Sequence, residues 1–154
     1  MTLHFAYGTN MSRALMGSRC PTAVALGPAM LEGFRFIITR DGYASVIPAP
    51  GATVHGVLWR LKPRDLAALN AYESLATGLY RRRMLPVRCG GTRAPALVYI
   101  GRSHTRGRPR PGHLSTIIAA ARAWQLPDAY VRSIGQWSAS GWRGAREADT
   151  GEIG

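Results

Sequence analysis

Glu73 is the only acidic residue between Asp65 and Asp128, in a sequence with twenty bases and eight acids. It follows Leu66 and Leu69 at spacings of three and four, which places all three on one face of a helix. The leucines mark that face as the inward one, so the carboxylate is expected to point toward the core. A carboxyl taken out of water has its pKa raised and can take and return a proton near neutral pH. The competing reading is structural. The helix ends before Glu73, and the side chain reaches solvent or pairs with Arg81, Arg82 or Arg83. Pattern alone leaves both open.

A second stretch has chemistry in its backbone. Residues 3–7 alternate, with Leu3, Phe5 and Tyr7 on one side, and read as a strand that runs into Gly8-Thr9-Asn10. Glycine there permits positive φ, and Thr and Asn bond local backbone groups. A short helix is expected over 11–16, with Asn10 or Ser12 as its cap. A strand, a small polar turn and a helix start leave several N–H groups facing outward, which suits a carboxylate or an oxyanion. A plain β-to-α turn is the alternative. His4, His55, His104 and His113 are not spaced as a metal set. The sequence also lacks a phosphate-binding loop, a dinucleotide fingerprint, a zinc-protease helix and a nucleophile elbow. No metal ligands and no cofactor are expected.

The elements that must position these groups follow in order. Short strands are expected at 23–26, 34–39 and 44–47, the last closed by a turn at Pro48-Ala49-Pro50-Gly51. Residues 53–61 form a longer strand with His55, Val57, Trp59 and Leu61 on one face, while Gly56 opens a gap on the other. Pro63 is well placed for the first turn of the helix that carries Glu73. Strands at 79–89 and 94–101 flank a Gly90-Gly91 turn. A basic loop over 102–111 leads into a helix over 112–124 with a stripe of Leu114, Ile117, Ile118, Ala121 and Trp124. Pro127 starts a further helix carrying Tyr130, Val131 and Ile134. The expected organisation is one domain over 1–137 and a mobile tail over 138–154.

With 154 residues, 46% apolar and 18% charged, the composition is that of an ordinary globular domain. No apolar run approaches the roughly 20 residues of a spanning helix, and the N-terminus does not read as a signal peptide. Cys20 and Cys89 read as free thiols, so the expected location is the cytoplasm and no membrane partner is expected. The net charge of +12 comes from nineteen arginines and one lysine, densest at 81–83 and 102–110. Neither group matches a nucleic-acid reading motif, so no specific nucleic-acid partner is expected, only weak, salt-sensitive attraction. Subunit number is not readable from the sequence.

Phe5-Ala6-Tyr7-Gly8-Thr9-Asn10-Met11, Leu69-x-x-Tyr72-Glu73 and Gly78-Leu79-Tyr80-Arg81 together resemble the γ-glutamylcyclotransferase (AIG2-like) family. The resemblance spans roughly residues 4–126. It extends to the Ile47-Pro48-x-Pro50-Gly51 segment, Gly56-Val57-Leu58-Trp59 and Leu126-Pro127-x-x-Tyr130. It implies a mixed α+β fold, a curled, partly closed, barrel-like sheet with packed helices. It also implies an enzyme that releases 5-oxoproline from a γ-glutamyl amino acid or amine without a cofactor. Carried over by motif, Glu73 is the catalytic acid/base, and Phe5, Ala6, Tyr7, Gly8, Thr9, Asn10 and Tyr80 bind substrate. His113 stands where the family has a substrate-contacting Tyr. Ser74 and His55 are smaller departures, from Gly and from an aromatic. Relatives specific for glutathione carry a differently composed turn, which favours smaller γ-glutamyl substrates here. A non-catalytic small-molecule binding module on the same scaffold is the alternative.

Overall fold

This computed structural model describes residues 1–73 and 78–138. Ser74 and the stretch read as a tail, apart from Ser138, lie outside the described residues. The elements are β1 (Thr2–Ala6), α1 (Arg13–Arg19), β2 (Val24–Ile38), β3 (Ala44–Leu61), α2 (Pro63–Tyr72), β4 (Tyr80–Cys89), β5 (Thr92–Gly101), α3 (His113–Ala123) and α4 (Asp128–Gly135). The strands form a closed barrel in the order β1-β3-β2-β4-β5. β1 runs antiparallel to β3 and meets β5 in parallel at His4 and Leu97, which closes the ring. The fold is mixed α+β as expected, and its barrel is closed rather than partly closed.

The expected short strands are halves of two long ones. Residues 23–26 and 34–39 belong largely to the 15-residue β2, and 44–47 and 53–61 to the 18-residue β3. The composition at residues 48–51 marks a bulge and not a chain reversal. Pairing steps from Phe34↔Pro48 to Glu32↔Thr53, which sets Gly33 against residues 49–52. Gly33 and Gly51 take φ of +83° and +82°, and proline, with no N–H to donate, fits where the ladder lapses. Such bulges bend a long hairpin so that it can wrap a small barrel. The Gly90-Gly91 turn is as expected, with both glycines at positive φ in a two-residue hairpin.

β1 is the buried centre of this wrap. Phe5 is fully buried, and Ala6 and Tyr7 nearly so. The gap expected at Gly56 is filled by β1, because a Cβ there would lie 2.2 Å from the Ala6 carbonyl oxygen and 2.8 Å from Phe5 Cζ. From outside, α3 buries Leu114, Ile117, Ala120 and Ala121, and α4 buries Val131 and Ile134. Trp124, at the end of α3, donates its indole N–H to the Met11 carbonyl at 2.7 Å and so pins the segment after β1. Pro63 opens α2 as expected, while Asp65 anchors it. The buried Asp65 carboxylate accepts from Lys62 N at 3.1 Å, Thr22 N at 3.3 Å and Thr22 Oγ1 at 2.6 Å. Burial alone would raise its pKa, but these bonds hold it below the usual value.

Gly56 therefore sets how closely β1 can lie on β3. Gly56→Ala is expected to destabilise the fold by about 2 kcal/mol or more, the overpacking range. Thermal melting would read the loss, and a variant that melts with the parent would show that β1 is not so tightly held.

Candidate active site

The turn after β1 is built differently from the expectation. Gly8 is extended, with φ −112° and ψ −141°, so it does not supply a left-handed turn. Thr9–Met11 form one turn of 3₁₀ helix, closed by Met11 N to Gly8 O at 3.1 Å and Ser12 N to Thr9 O at 3.0 Å. α1 begins at Arg13, later than expected, and its cap is Ser12, whose Oγ accepts from Leu15 N at 3.2 Å. The Thr9 and Asn10 amides sit in a first helical turn and so have no carbonyl within it. Asn10, freed from capping, is buried and points its side chain elsewhere.

It points at Glu73. Asn10 Nδ2 donates to Glu73 Oε1 at 3.0 Å. α2 ends at Tyr72, and Glu73 is its C-cap, its N–H bonded to Leu69 O at 2.9 Å. The helix thus stops one residue before Glu73, yet the carboxyl turns inward, over the anchor of the fully buried Leu69. Burial raises its pKa to about 7, against the opposing pull of Arg19 and of the Asn10 bond. Arg81, Arg82 and Arg83 are exposed on β4 and are not its partners.

The residues singled out from the sequence line one cavity of about 180 Å³: Phe5, Ala6, Tyr7, Gly8, Thr9, Asn10, Glu73, Tyr80 and His113. The volume is well below the roughly 300–1,000 Å³ of drug-sized sites. Tyr7 donates its hydroxyl to Tyr99 O at 2.5 Å across the barrel. The start of β3 is clamped from both sides: Tyr80 donates to Ala44 O at 2.9 Å, and Ala44 N donates to His113 Nε2 at 3.1 Å. His113 Nε2 is therefore the unprotonated nitrogen, and burial, with Arg19 and Arg110, lowers the pKa of the ring. His113 is a neutral group with an Nδ1–H to offer, which does not favour the carboxylate pairing an imidazolium would make. Burial likewise raises the Tyr7, Tyr80 and Tyr99 phenols well above their usual pKa, so they remain donors.

Six further lining residues were not assigned to the site from the sequence: His4, Tyr43, Ala44, Tyr72, Leu79 and Tyr99. His4 is buried, bonds Leu97 O through Nδ1 at 3.0 Å and packs edge-on to Tyr99, with a pKa lowered by burial to about 4. Of the basic loop and helix start over 102–113, only His113 lines the cavity. The loop packs instead on the end of β2, through Arg40 N to Thr105 O and Gly107 N to Ile38 O. His55 lies outside the cavity, 4.8 Å from the Tyr130 ring. Among the described residues no cluster of His, Cys, Asp and Glu could hold a metal ion, and no helix is long and apolar enough to cross a membrane.

Residues 4–124 match the model of a family described as Gamma-glutamyl cyclotransferase, AIG2-like. Mouse gamma-glutamylcyclotransferase is 25% identical over 143 residues, covering 86% of this chain and 76% of that protein. The bovine protein of the same name is 24% identical over 153 residues, covering 92% and 81%. The fold superposes on a solved gamma-glutamyl cyclotransferase with a TM-score of 0.80 at 23% identity, over 87% of this chain and 86% of that one. YkqA from Bacillus subtilis gives 0.76 at 23% identity, over 88% of this chain and 53% of its own. At such identities the superpositions speak for the fold alone.

The raised pKa of Glu73 makes stability depend on pH. Between 4.5 and about 7 the folded chain holds a proton that the unfolded chain has released, so stability falls as pH rises through that window. Glu73→Gln removes the dependence. Relative to the parent, its melting temperature is expected to gain between pH 4.5 and 7 and to keep the gain above 7. Calorimetry at several pH values reads this directly. A difference that does not vary with pH would mean that the carboxyl is effectively solvated.

Proposed function

This chain belongs to the AIG2-like gamma-glutamyl cyclotransferase family, and from that premise we propose that it releases 5-oxoproline from a γ-glutamyl amino acid or γ-glutamyl amine, with Glu73 as general base and then general acid. The observation that carries the proposal is a carboxyl bonded to Asn10 in the same small cavity as the Thr9–Met11 turn, where burial pushes its pKa up to about 7. A group with that pKa is part ionised and part protonated at neutral pH, as a base that must return its proton requires.

The α-amine of a γ-glutamyl compound is protonated at neutral pH and cannot attack. Glu73 as carboxylate takes one proton, and the free amine nitrogen adds to the γ-carbonyl carbon of its own molecule. A C–N bond forms, a five-membered ring closes and negative charge gathers on the carbonyl oxygen. The Thr9 and Asn10 amides are the donors for that charge. As the tetrahedral centre collapses, the bond to the leaving nitrogen breaks and Glu73 delivers its proton there. The surplus proton of the ring nitrogen follows by the same carboxylate, so the amine departs as an ammonium ion.

The reacting atoms belong to one molecule, so the protein's task is to hold the folded conformer and to stabilise charge. Tyr7 and Tyr80 suit the first role because their hydroxyls are already tied to carbonyls and their rings are fixed. The cavity matches a glutamyl head in size, so the leaving amine extends past Tyr43 and the half-exposed Tyr72. The smaller γ-glutamyl conjugates fit this outline best.

A panel of γ-glutamyl amino acids and amines, assayed for 5-oxoproline, tests the proposal. Glu73→Gln is expected to lower turnover by about a hundredfold or more while substrate still binds. A parent that binds these compounds but releases no 5-oxoproline would point to the binding module, and a fully active Glu73→Gln variant would remove Glu73 from the chemistry.

A further inference from the structure

Arg19 does not line the cavity, yet it is bonded to the turn that does. From the last turn of α1, its Nη1 donates to Asn10 Oδ1 and, at 3.1 Å, to Thr9 Oγ1. Its guanidinium lies 3.7 Å over the ring of Tyr72, the residue before Glu73. We infer that Arg19 is the positioning residue of this site: it fixes which end of the Asn10 amide faces Glu73, and it supplies the positive charge beside that carboxyl.

The first half follows from donor and acceptor inventories. A carboxamide has two ends of nearly equal size, so packing does not decide which of them meets Glu73. A guanidinium has only donors and cannot accept the Asn10 N–H₂. Asn10 must therefore turn Oδ1 to Arg19, which leaves Nδ2 for Glu73, as found. The reverse orientation would set oxygen against carboxylate oxygen and N–H against guanidinium. Orientation matters chemically, because an N–H donor favours the ionised carboxylate. The fork of Arg19 is itself held by Thr9 and by the flat face of Tyr72, a combination that suits arginine better than lysine.

The second half follows from which groups face Glu73. Tyr7 just after β1, Tyr80 from β4 and Tyr99 from β5 interact with it and are kept neutral by burial, and His113 from α3 is an uncharged ring. Among the described residues Arg19 is the charged side chain acting on it, against the raising effect of burial. Without Arg19, burial would go less opposed and the carboxyl would remain protonated to higher pH. The same charge depresses the His113 pKa, so one residue on α1 biases two groups of the cavity.

The kinetic arm of the test rests on the proposed function, and the titration arm does not. Glu73 is followed by NMR in protein carrying ¹³C-labelled glutamate, alongside the pH profile of kcat/KM, for the parent, Arg19→Met, Arg19→Gln and Arg19→Lys. The neutral variants are expected to move the Glu73 titration upward by about one pH unit or more, and the acid limb of the profile with it. Arg19→Lys keeps the charge and should hold the titration near that of the parent while losing part of kcat. A folded neutral variant that titrates like the parent, or loses activity equally at every pH, overturns the inference. Should neither neutral variant fold, Arg19→Lys decides by itself: a parental titration supports the inference and a shifted one overturns it. A parent that turns over no γ-glutamyl compound defeats the proposed function, and the NMR titration still judges Arg19.

Discussion

The hydrogen bond from Asn10 to Glu73 joins two segments sixty-three residues apart, and much of the structure can be understood as what makes it possible. A carboxyl is costly to remove from water, and without a partner it stays protonated far above its ordinary pKa. Among the described residues one donor and one nearby cation meet it, enough to bring it back to about 7 but not to its solution value of 4.5. That intermediate position depends on Asn10 reaching in from the turn and on α2 ending so that Glu73 can turn toward it. Each of these has an anchor in the fold. Leu69 seats the last turn of α2, and Trp124 ties down Met11 beside Asn10.

The barrel supplies the remaining constraint. β1 is short, lies between β3 and β5, and delivers its C-terminal end into the cavity. Because Gly56 leaves no room beyond hydrogen, the Phe5 ring and the Ala6 carbonyl lie hard against β3, which fixes where Tyr7 and Gly8 emerge. Closure through His4 and Leu97 brings β5 alongside, so that Tyr99 can take the Tyr7 hydroxyl on its carbonyl. The Tyr99 hydroxyl in turn donates to Asn70 on α2. The wall of the cavity and the helix that carries Glu73 are thereby braced by the same residue. The described salt bridge, Arg88 with Glu32, is exposed and plays no part in this.

Some of this was legible in the sequence and some was not, for physical reasons. The inward turn of Glu73 could be read because Leu69 lies one helical turn earlier, and that leucine is indeed fully buried. The end of α2 before Glu73 could be read only as one of two alternatives, since a C-cap without glycine leaves no compositional trace. Residues 8–10 were located correctly but with the wrong geometry, because glycine signals permission for positive φ and not its use. Proline and glycine at 48–51 mark a turn or a bulge equally well, and only the pairing of β2 with β3 distinguishes them. Arg19 was invisible as one of nineteen arginines; its meaning comes entirely from the Asn10 and Tyr72 side chains around it. The aromatic wall of Tyr43, Tyr72 and Tyr99 reads in the sequence as ordinary core and surface, since a cavity is defined by what several elements leave unfilled.

The central claim is that the carboxyl of Glu73 handles the proton of the reacting amine, and the position of that amine tests it most directly. The measurement is a crystal structure of Glu73→Gln with a γ-glutamyl amino acid bound, in which slow turnover preserves the substrate. The account predicts the α-nitrogen within hydrogen-bond reach of the side chain at position 73, about 2.6–3.2 Å, with the γ-carbonyl oxygen facing the Thr9 and Asn10 amides. A substrate bound in this cavity with its α-nitrogen turned away from position 73 would contradict it.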